Sequence, residues 1–255
     1  MNLLTYDHSF EGFLTAVFEV YEYKLEPVEI RKEGLPLPGM FTTIKQVFTN
    51  SDKAERVFIR LKATLGDLGL HRILYTLLTE DEDCEKHLLN VIKYALASPK
   101  QNIINDFSNV SVLKLSQYTK NVGREKHRME AFVRFKLTSD EIYFAEIEPD
   151  FNVLPVIAKH FKDRYQDQKW IIFDNKRHYG IYYDLKSVQI IEMKYNTLLS
   201  NENGLEVFKK DEFIYQKLWK TYFERTNIKA RKNTRLHVQH VPKRYWKYLI
   251  EKSVI

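Results

Sequence analysis

Between Arg124 and Asp184 the apolar residues change from the strand period to the helical period and back again, and this limits the fold more than any other feature of the chain. Alternation on Lys126–Leu137 sets Met129, Ala131, Val133 and Phe135 against Arg128, Glu130, Phe132 and Arg134, the period of a strand. Ser139 and Asp140 make a turn, and Ile142–Ile147 predicts a second strand paired antiparallel to the first, because the connection is so short. Glu148, Pro149 and Asp150 open a helix over 151–165, with Val153, Val156, Ile157, His160, Phe161 and Tyr165 along one stripe. Two short strands follow at Trp170–Phe173 and Tyr179–Asp184, and Val188–Met193 predicts one more.

The chain before this stretch is mostly helical. A short strand at Leu3–Tyr6 leads through Asp7, His8 and Ser9 into a helix with Phe10, Phe13, Leu14, Val17 and Phe18 on one face. Pro27–Met40, rich in Pro and Gly, predicts a loop or short hairpin. Asn50 or Ser51 caps a helix punctuated at Gly66 and Gly69, Leu88–Leu96 forms another, and Asn109 caps a fourth that Gly123 would stop. Asn201–Gly204 is a polar loop, a helix follows from about Glu206 to Glu224, and Pro242 opens a terminal helix. The expected class is therefore α+β: a mostly helical N-terminal half packed with a central, largely antiparallel sheet, and a basic helical C-terminal segment. The organisation is one domain over 1–255, with a helical subdomain at 51–123, an α/β core at 124–226 and the basic segment at 227–255.

Charge placement bears on function. Lys217–Lys252 holds eleven Lys or Arg against two acids, Glu224 and Glu251, so this segment exceeds the whole chain's net charge of +6 and leaves the rest net acidic. Such a block suits a polyanion such as nucleic acid, and also suits a solvated helix surface. Arg128 and Arg134, with Lys229, Arg231, Lys232, Arg235, Lys243 and Arg244, are candidate phosphate contacts. Phe132, Tyr245 and Trp246 are candidate stacking platforms, and Arg164 is a further candidate contact.

Several classes of chemistry lack their residues. Nucleotide-binding glycine motifs, a G-x-S-x-G nucleophile turn and H-E-x-x-H are absent from the sequence. His237 and His240 are three apart in a basic segment without a nearby carboxylate, so no metal site is expected there. Cys84 is the single cysteine and cannot by itself ligate an iron–sulfur cluster. No apolar run approaches the 18 or so residues of a membrane span, and the N-terminus does not resemble a signal peptide, so the expected location is the cytoplasm, without a membrane partner. Glu148 with His160 is the least implausible acid–base couple, and His127 is a further catalytic candidate.

Five runs carry a resemblance: YDHSFEGFLTAVFEVY (Tyr6–Tyr21), HRMEAFVRF (His127–Phe135), EPDFNVLPVIAKHFKDRY with its following Trp170, LWKTYFERTNIKARKN (Leu218–Asn233) and VPKRYWKYL (Val241–Leu249). Together they resemble the DUF4130 family of bacterial proteins of unknown function, associated with DNA metabolism. His8 stands where the family pattern has glycine. Members are usually encoded beside a radical-SAM protein linked to DNA modification or repair, and some relatives are fused to a uracil-DNA glycosylase-like domain. The resemblance implies a DNA-binding accessory protein whose partners are DNA and a radical-SAM enzyme, with no cofactor of its own. Two rival readings stand beside it: an enzyme acting on a nucleobase or nucleotide through His160, Glu148 or His127 with Arg134 and Arg164, and a protein–protein adaptor without direct DNA contact.

Overall fold

The computed structural model describes residues 1–34, 42–98, 102–192, 208–209, 211–226 and 233–252. The predicted loop at Asn201–Gly204, Met193, and the candidates Lys229, Arg231 and Lys232 lie outside the described residues. The chain forms two compact units, Met1–Gly123 and Arg124–Ile255.

In the first unit, β1 (Asn2–Tyr6) is the centre of a three-stranded parallel sheet between β2 (Val28–Lys32) and β3 (Thr43–Gln46). Helix α1 (Phe10–Glu22) makes the crossover from β1 to β2, which is what parallel pairing needs. Ser9 Oγ accepts the Gly12 N–H at 2.8 Å as the N-cap of α1. The preceding His8 has φ 66°, the left-handed region that favours glycine, and its Nε2 donates to the Glu33 carbonyl at 2.8 Å. The turn thus keeps a glycine-like backbone and adds an anchor that glycine lacks. Strand β2 falls where the sequence predicts a loop or hairpin, and it pairs with β1 rather than folding back on itself.

Helix α2 (Ser51–Leu77), capped by Asn50, breaks at Gly66, and α3 (Cys84–Ala97) follows. Leu4, Phe13, Leu14, Leu61, Ile73, Leu88 and Ile92 are buried together in the core. Within it, buried Glu85 accepts the Tyr6 hydroxyl at 2.7 Å and the Cys84 thiol at 3.0 Å. Burial first, and the Glu85 charge second, push both the phenol and the thiol upward, so Cys84 is an unreactive core thiol at neutral pH.

Helix α4 (Val110–Phe132) corrects two expectations. Asn109 Oδ1 does cap it, accepting from Ser111 N at 2.9 Å, but Gly123 does not stop it, since Gly123 is not among the glycines with positive φ. The predicted strand over Lys126–Leu137 is helix as far as Phe132, and only Lys136–Leu137 becomes strand β4. The period that matters there is helical: Val122, Glu125, Met129 and Val133 are the buried positions, three and four apart.

The second unit is built on a five-stranded sheet in the order β4-β5-β6-β7-β8, with β5 (Tyr143–Ile147), β6 (Trp170–Asp174), β7 (Tyr179–Tyr183) and β8 (Val188–Glu192). It is mixed rather than simply antiparallel. The β4–β5, β6–β7 and β7–β8 pairs are antiparallel, while β5 and β6 run parallel with Tyr143 opposite Trp170. The reason lies in the connection: α5 (Leu154–Arg164) must return the chain to the starting edge, whereas β6 and β7 are joined by a tight turn. Phe161, Trp170, Ile172, Phe173 and Ile181 are buried in this unit. Helices α6 (Glu212–Thr226) and α7 (Thr234–His240) and a 3₁₀ helix, Lys243–Tyr248, complete it. No described helix is long and apolar enough to cross a membrane.

Candidate nucleic-acid interface

Parallel pairing sets the carboxyl ends of β5 and β6 on one edge, the usual place for a site in a sheet of this kind. Glu148, Pro149 and Asp150 leave β5 there, and Asn175–His178 leave β6. Asp174, fully buried at the end of β6, takes the Arg177 guanidinium at 2.8 Å and the backbone N–H of Lys176 at 2.9 Å. Arg177 in turn donates to the Pro149 and Asp150 carbonyls, each at 3.2 Å, which ties the two loops together.

The 3₁₀ helix Lys243–Tyr248 is stitched to this edge by alternating cations and phenols. Buried Glu125, on α4, accepts the Asp150 N–H at 2.9 Å and the Tyr245 hydroxyl. Arg244 pairs with Asp150 at 2.5 Å and lies 3.8 Å from Glu125, and Arg128 lies 3.4 Å from Glu125. Lys247 and the Tyr248 hydroxyl, the latter at 2.6 Å, both donate to Glu148. The Lys247 bond, and next the Tyr248 bond, hold the Glu148 carboxyl below its ordinary range. Burial, and then the bond to Glu125, push the Tyr245 phenol upward. This neutral phenol against a buried carboxylate is a structural clamp: Tyr245 is 1% exposed and offers no face to a base.

The other predicted residues scatter. Arg134 donates to Glu251 at 2.9 and 3.3 Å and to the Ala131 carbonyl at 2.7 Å, with its guanidinium 5.9 Å from the Trp219 ring. Phe132 is half-buried, its ring 5.6 Å from that of Tyr245. Trp246 is half-buried and donates its indole N–H to the Val241 carbonyl at 3.0 Å. His127, Arg164, Arg235 and Lys243 are exposed. His160 has Glu130 as its carboxylate neighbour, at 3.9 Å, and stands edge-on to Phe161, while Glu148 is held by Lys247 and Tyr248. The His160–Glu148 couple is not assembled.

Helix α6 is the feature that sequence reasoning missed. Phe213, Ile214, Tyr215, Leu218, Trp219 and Tyr222 are between 41% and 65% exposed. Lys217 and Arg225 are exposed on the same helix, and the Trp219 and Tyr222 rings lie 5.9 Å apart. Trp219 is held by its indole N–H, which donates to Glu251 at 3.1 Å. The sequence predicts a helix here, from about Glu206 to Glu224, but does not show that its apolar residues stay open. A signal pointing that way was present: apolar residues at 213, 214, 215, 218, 219, 222 and 223 cover far more of the helix perimeter than one stripe.

The family model for DUF4130, a domain of unknown function, matches residues 82–251. The chain belongs to the DUF4130 family. The match takes in every element that builds this edge and α6, and it leaves out residues 1–81, so the resemblance read at Tyr6–Tyr21 lies beyond the matched DUF4130 span. No match was found among curated proteins.

Proposed function

We propose that this protein is a DNA-binding accessory protein of DNA repair or modification, which holds single-stranded DNA on α6 while a radical-SAM partner performs the chemistry. The observation that carries the reading is the row of exposed aromatic rings on α6, with the exposed Lys217 among them and the exposed Arg225 beyond them. Exposed rings give bases a stacking platform whatever their identity, and interleaved cations neutralise phosphates, the combination that single-strand binders use. Arg244 and Lys247 contribute less than their charge suggests, because each already faces a carboxylate. Arg235 and Lys243, both exposed, are the better phosphate contacts from the C-terminal segment.

Fluorescence anisotropy with labelled single- and double-stranded oligonucleotides, at 50 and 200 mM salt, tests this. Single strands are expected to bind more tightly, with affinity falling steeply as salt rises. Tyr215→Ala with Tyr222→Ala should weaken single-strand binding by roughly 1–3 kcal/mol per lost stack. A flat salt response, or a variant that binds as the parent does, would count decisively against it. A second reading rests on Ile214 and Leu218, which are as exposed as the aromatics and cannot stack: a protein adaptor surface. It gains if DNA does not bind while a partner enzyme co-purifies through α6.

A further inference from the structure

The first unit holds a cleft of about 490 Å³ whose walls come from α1, α2 and α3. Its floor is aliphatic and buried: Val17, Leu61 and Ile92 are each at most 1% exposed. Phe18 and Tyr21 on α1 supply aromatic walls. Arg56 and Arg60, one turn apart on α2, stand at the rim, with the Arg56 guanidinium 4.9 Å from the centre of the Phe18 ring. Among the described residues neither guanidinium has an ion-pair partner.

No ion pair among the described residues explains this arrangement. Like charges four apart on a helix cost a few tenths of a kcal/mol, and the contact with the Phe18 ring offsets this at Arg56 but gives Arg60 no partner. The nearby acids do not relieve it. Glu22, which also lines the cleft, is taken by Lys53 at 3.1 Å, and Glu26 is taken by Lys93 at 2.8 Å. Burial, and then the Glu26 charge, push the Tyr21 phenol upward, so it remains a neutral hydroxyl at the wall. The volume is that of an ordinary small-molecule pocket, which characteristically combines an apolar body with a few placed polar groups.

We infer that this cleft binds a small organic anion with a flat apolar body, the body lying between Phe18 and Tyr21 over the aliphatic floor and the anionic end held by Arg56 and Arg60. Paired guanidiniums suit a carboxylate or a phosphate, since their planar forks match either oxyanion. An aromatic carboxylate and a nucleoside monophosphate share this chemistry. The cleft belongs to the first unit and shares no residue with α6, and the inference does not depend on the DNA reading.

Calorimetric titration of the full chain with naphthalene-2-carboxylate and with dAMP, each beside its uncharged counterpart (2-naphthalenemethanol and deoxyadenosine), decides it. At least one anion should bind, at least tenfold more tightly than its neutral counterpart. The arm that binds identifies the source as an aromatic acid or a nucleotide. Arg56→Gln with Arg60→Gln should lose at least tenfold in that affinity while the protein stays folded, because the rim arginines hold no ion pair among the described residues and the variant gives up only the Arg56 contact with the Phe18 ring. Absence of binding by both anions at millimolar concentration overturns the inference. So does equal affinity for the neutral counterpart, or undiminished binding by the double variant. Single-strand DNA binding measured on the same variant should match the parent, which keeps this test apart from that of α6.

Discussion

Glu251 shows how one residue near the end of the chain holds several elements. Its carboxylate is 5% exposed and accepts from Arg134 at 2.9 and 3.3 Å and from the Trp219 indole at 3.1 Å. Burial alone would raise its pKa, but the Arg134 bond, a backbone N–H and the indole outweigh burial and hold it below the ordinary value of 4.5. A carboxyl depressed in the folded state adds stability above its unfolded pKa and loses it as pH falls through the folded one. Glu251→Gln should therefore cost about 1–3 kcal/mol at pH 7, the range for weakening a buried hydrogen-bonded group. The gap to the parent should close as pH falls below 4.5, the ordinary value. Urea unfolding of both proteins across that range reads it directly. A gap that stays constant with pH would mean that the carboxylate charge is not what holds Arg134 and Trp219. Nothing near Glu251 in the sequence announces this role, because Arg134 lies 117 positions away.

At the scale of elements, two glycines in long helices behave in opposite ways. Gly66 sits at φ 67° and ψ −173° inside α2, a region essentially closed to residues with a Cβ. Gly123, inside α4, has no positive φ, and a Cβ there meets nothing within 4 Å. Gly66→Ala should destabilise by about 1–3 kcal/mol through backbone strain alone, since its Cβ also meets nothing within 4 Å. Gly123→Ala should be neutral or stabilise by up to about 1 kcal/mol by reducing the freedom of the unfolded chain. Thermal melts of the pair separate the two cases, and a harmless Gly66→Ala would show that α2 straightens without penalty. The sequence identifies both positions as punctuation. It does not separate a kink from an uninterrupted helix, because that depends on where Val122, Glu125 and Met129 find cover. The same ambiguity turned the alternation at Lys126–Leu137 into a strand on paper: a pattern of two can be cut from a pattern of three and four when polar residues also face inward, as Glu125 does.

For the whole molecule, depressed carboxylates and elevated phenols bracket a pH window. Lys93 holds Glu26 low, Lys209 holds Glu141 low, Lys247 holds Glu148 low, the Ser108 hydroxyl holds Asp106 low, and the Ser187 N–H holds Asp184 low. Each contributes above its unfolded pKa and is lost as pH falls. Burial pushes Tyr6, Tyr118 and Tyr245 up, so these contribute below the ordinary phenol value of 10.0 and are lost as pH rises. Burial also holds the His71 and His87 imidazoles low and the Cys84 thiol high, so stability should be greatest on a plateau between the ordinary imidazole and thiol values, 6.5 and 9.0, and fall on both sides. Chemical unfolding at a series of pH values checks it, and stability that rises below pH 4 would contradict it.

By itself the sequence determined the local structure and the charge balance: the cap at Asn109, caps narrowed to Asp7 or Ser9 and to Asn50 or Ser51, the helical periods of α1, α3 and α5, the α+β class, the lone Cys84, and the basic block from Lys217 to Lys252. These rest on residues within a few positions of one another, so the string of letters already contains them. The tertiary structure alone decided which cations are spent and which aromatics are open. Tyr245 meets Glu125 across 120 positions and Arg244 meets Asp150 across 94, so residues that look like a nucleic-acid surface are clamped to carboxylates. Helix α6, whose apolar residues the sequence shows without their surroundings, is open because what surrounds an apolar residue is set by distant elements, and hydrophobicity states only the gain available if cover arrives.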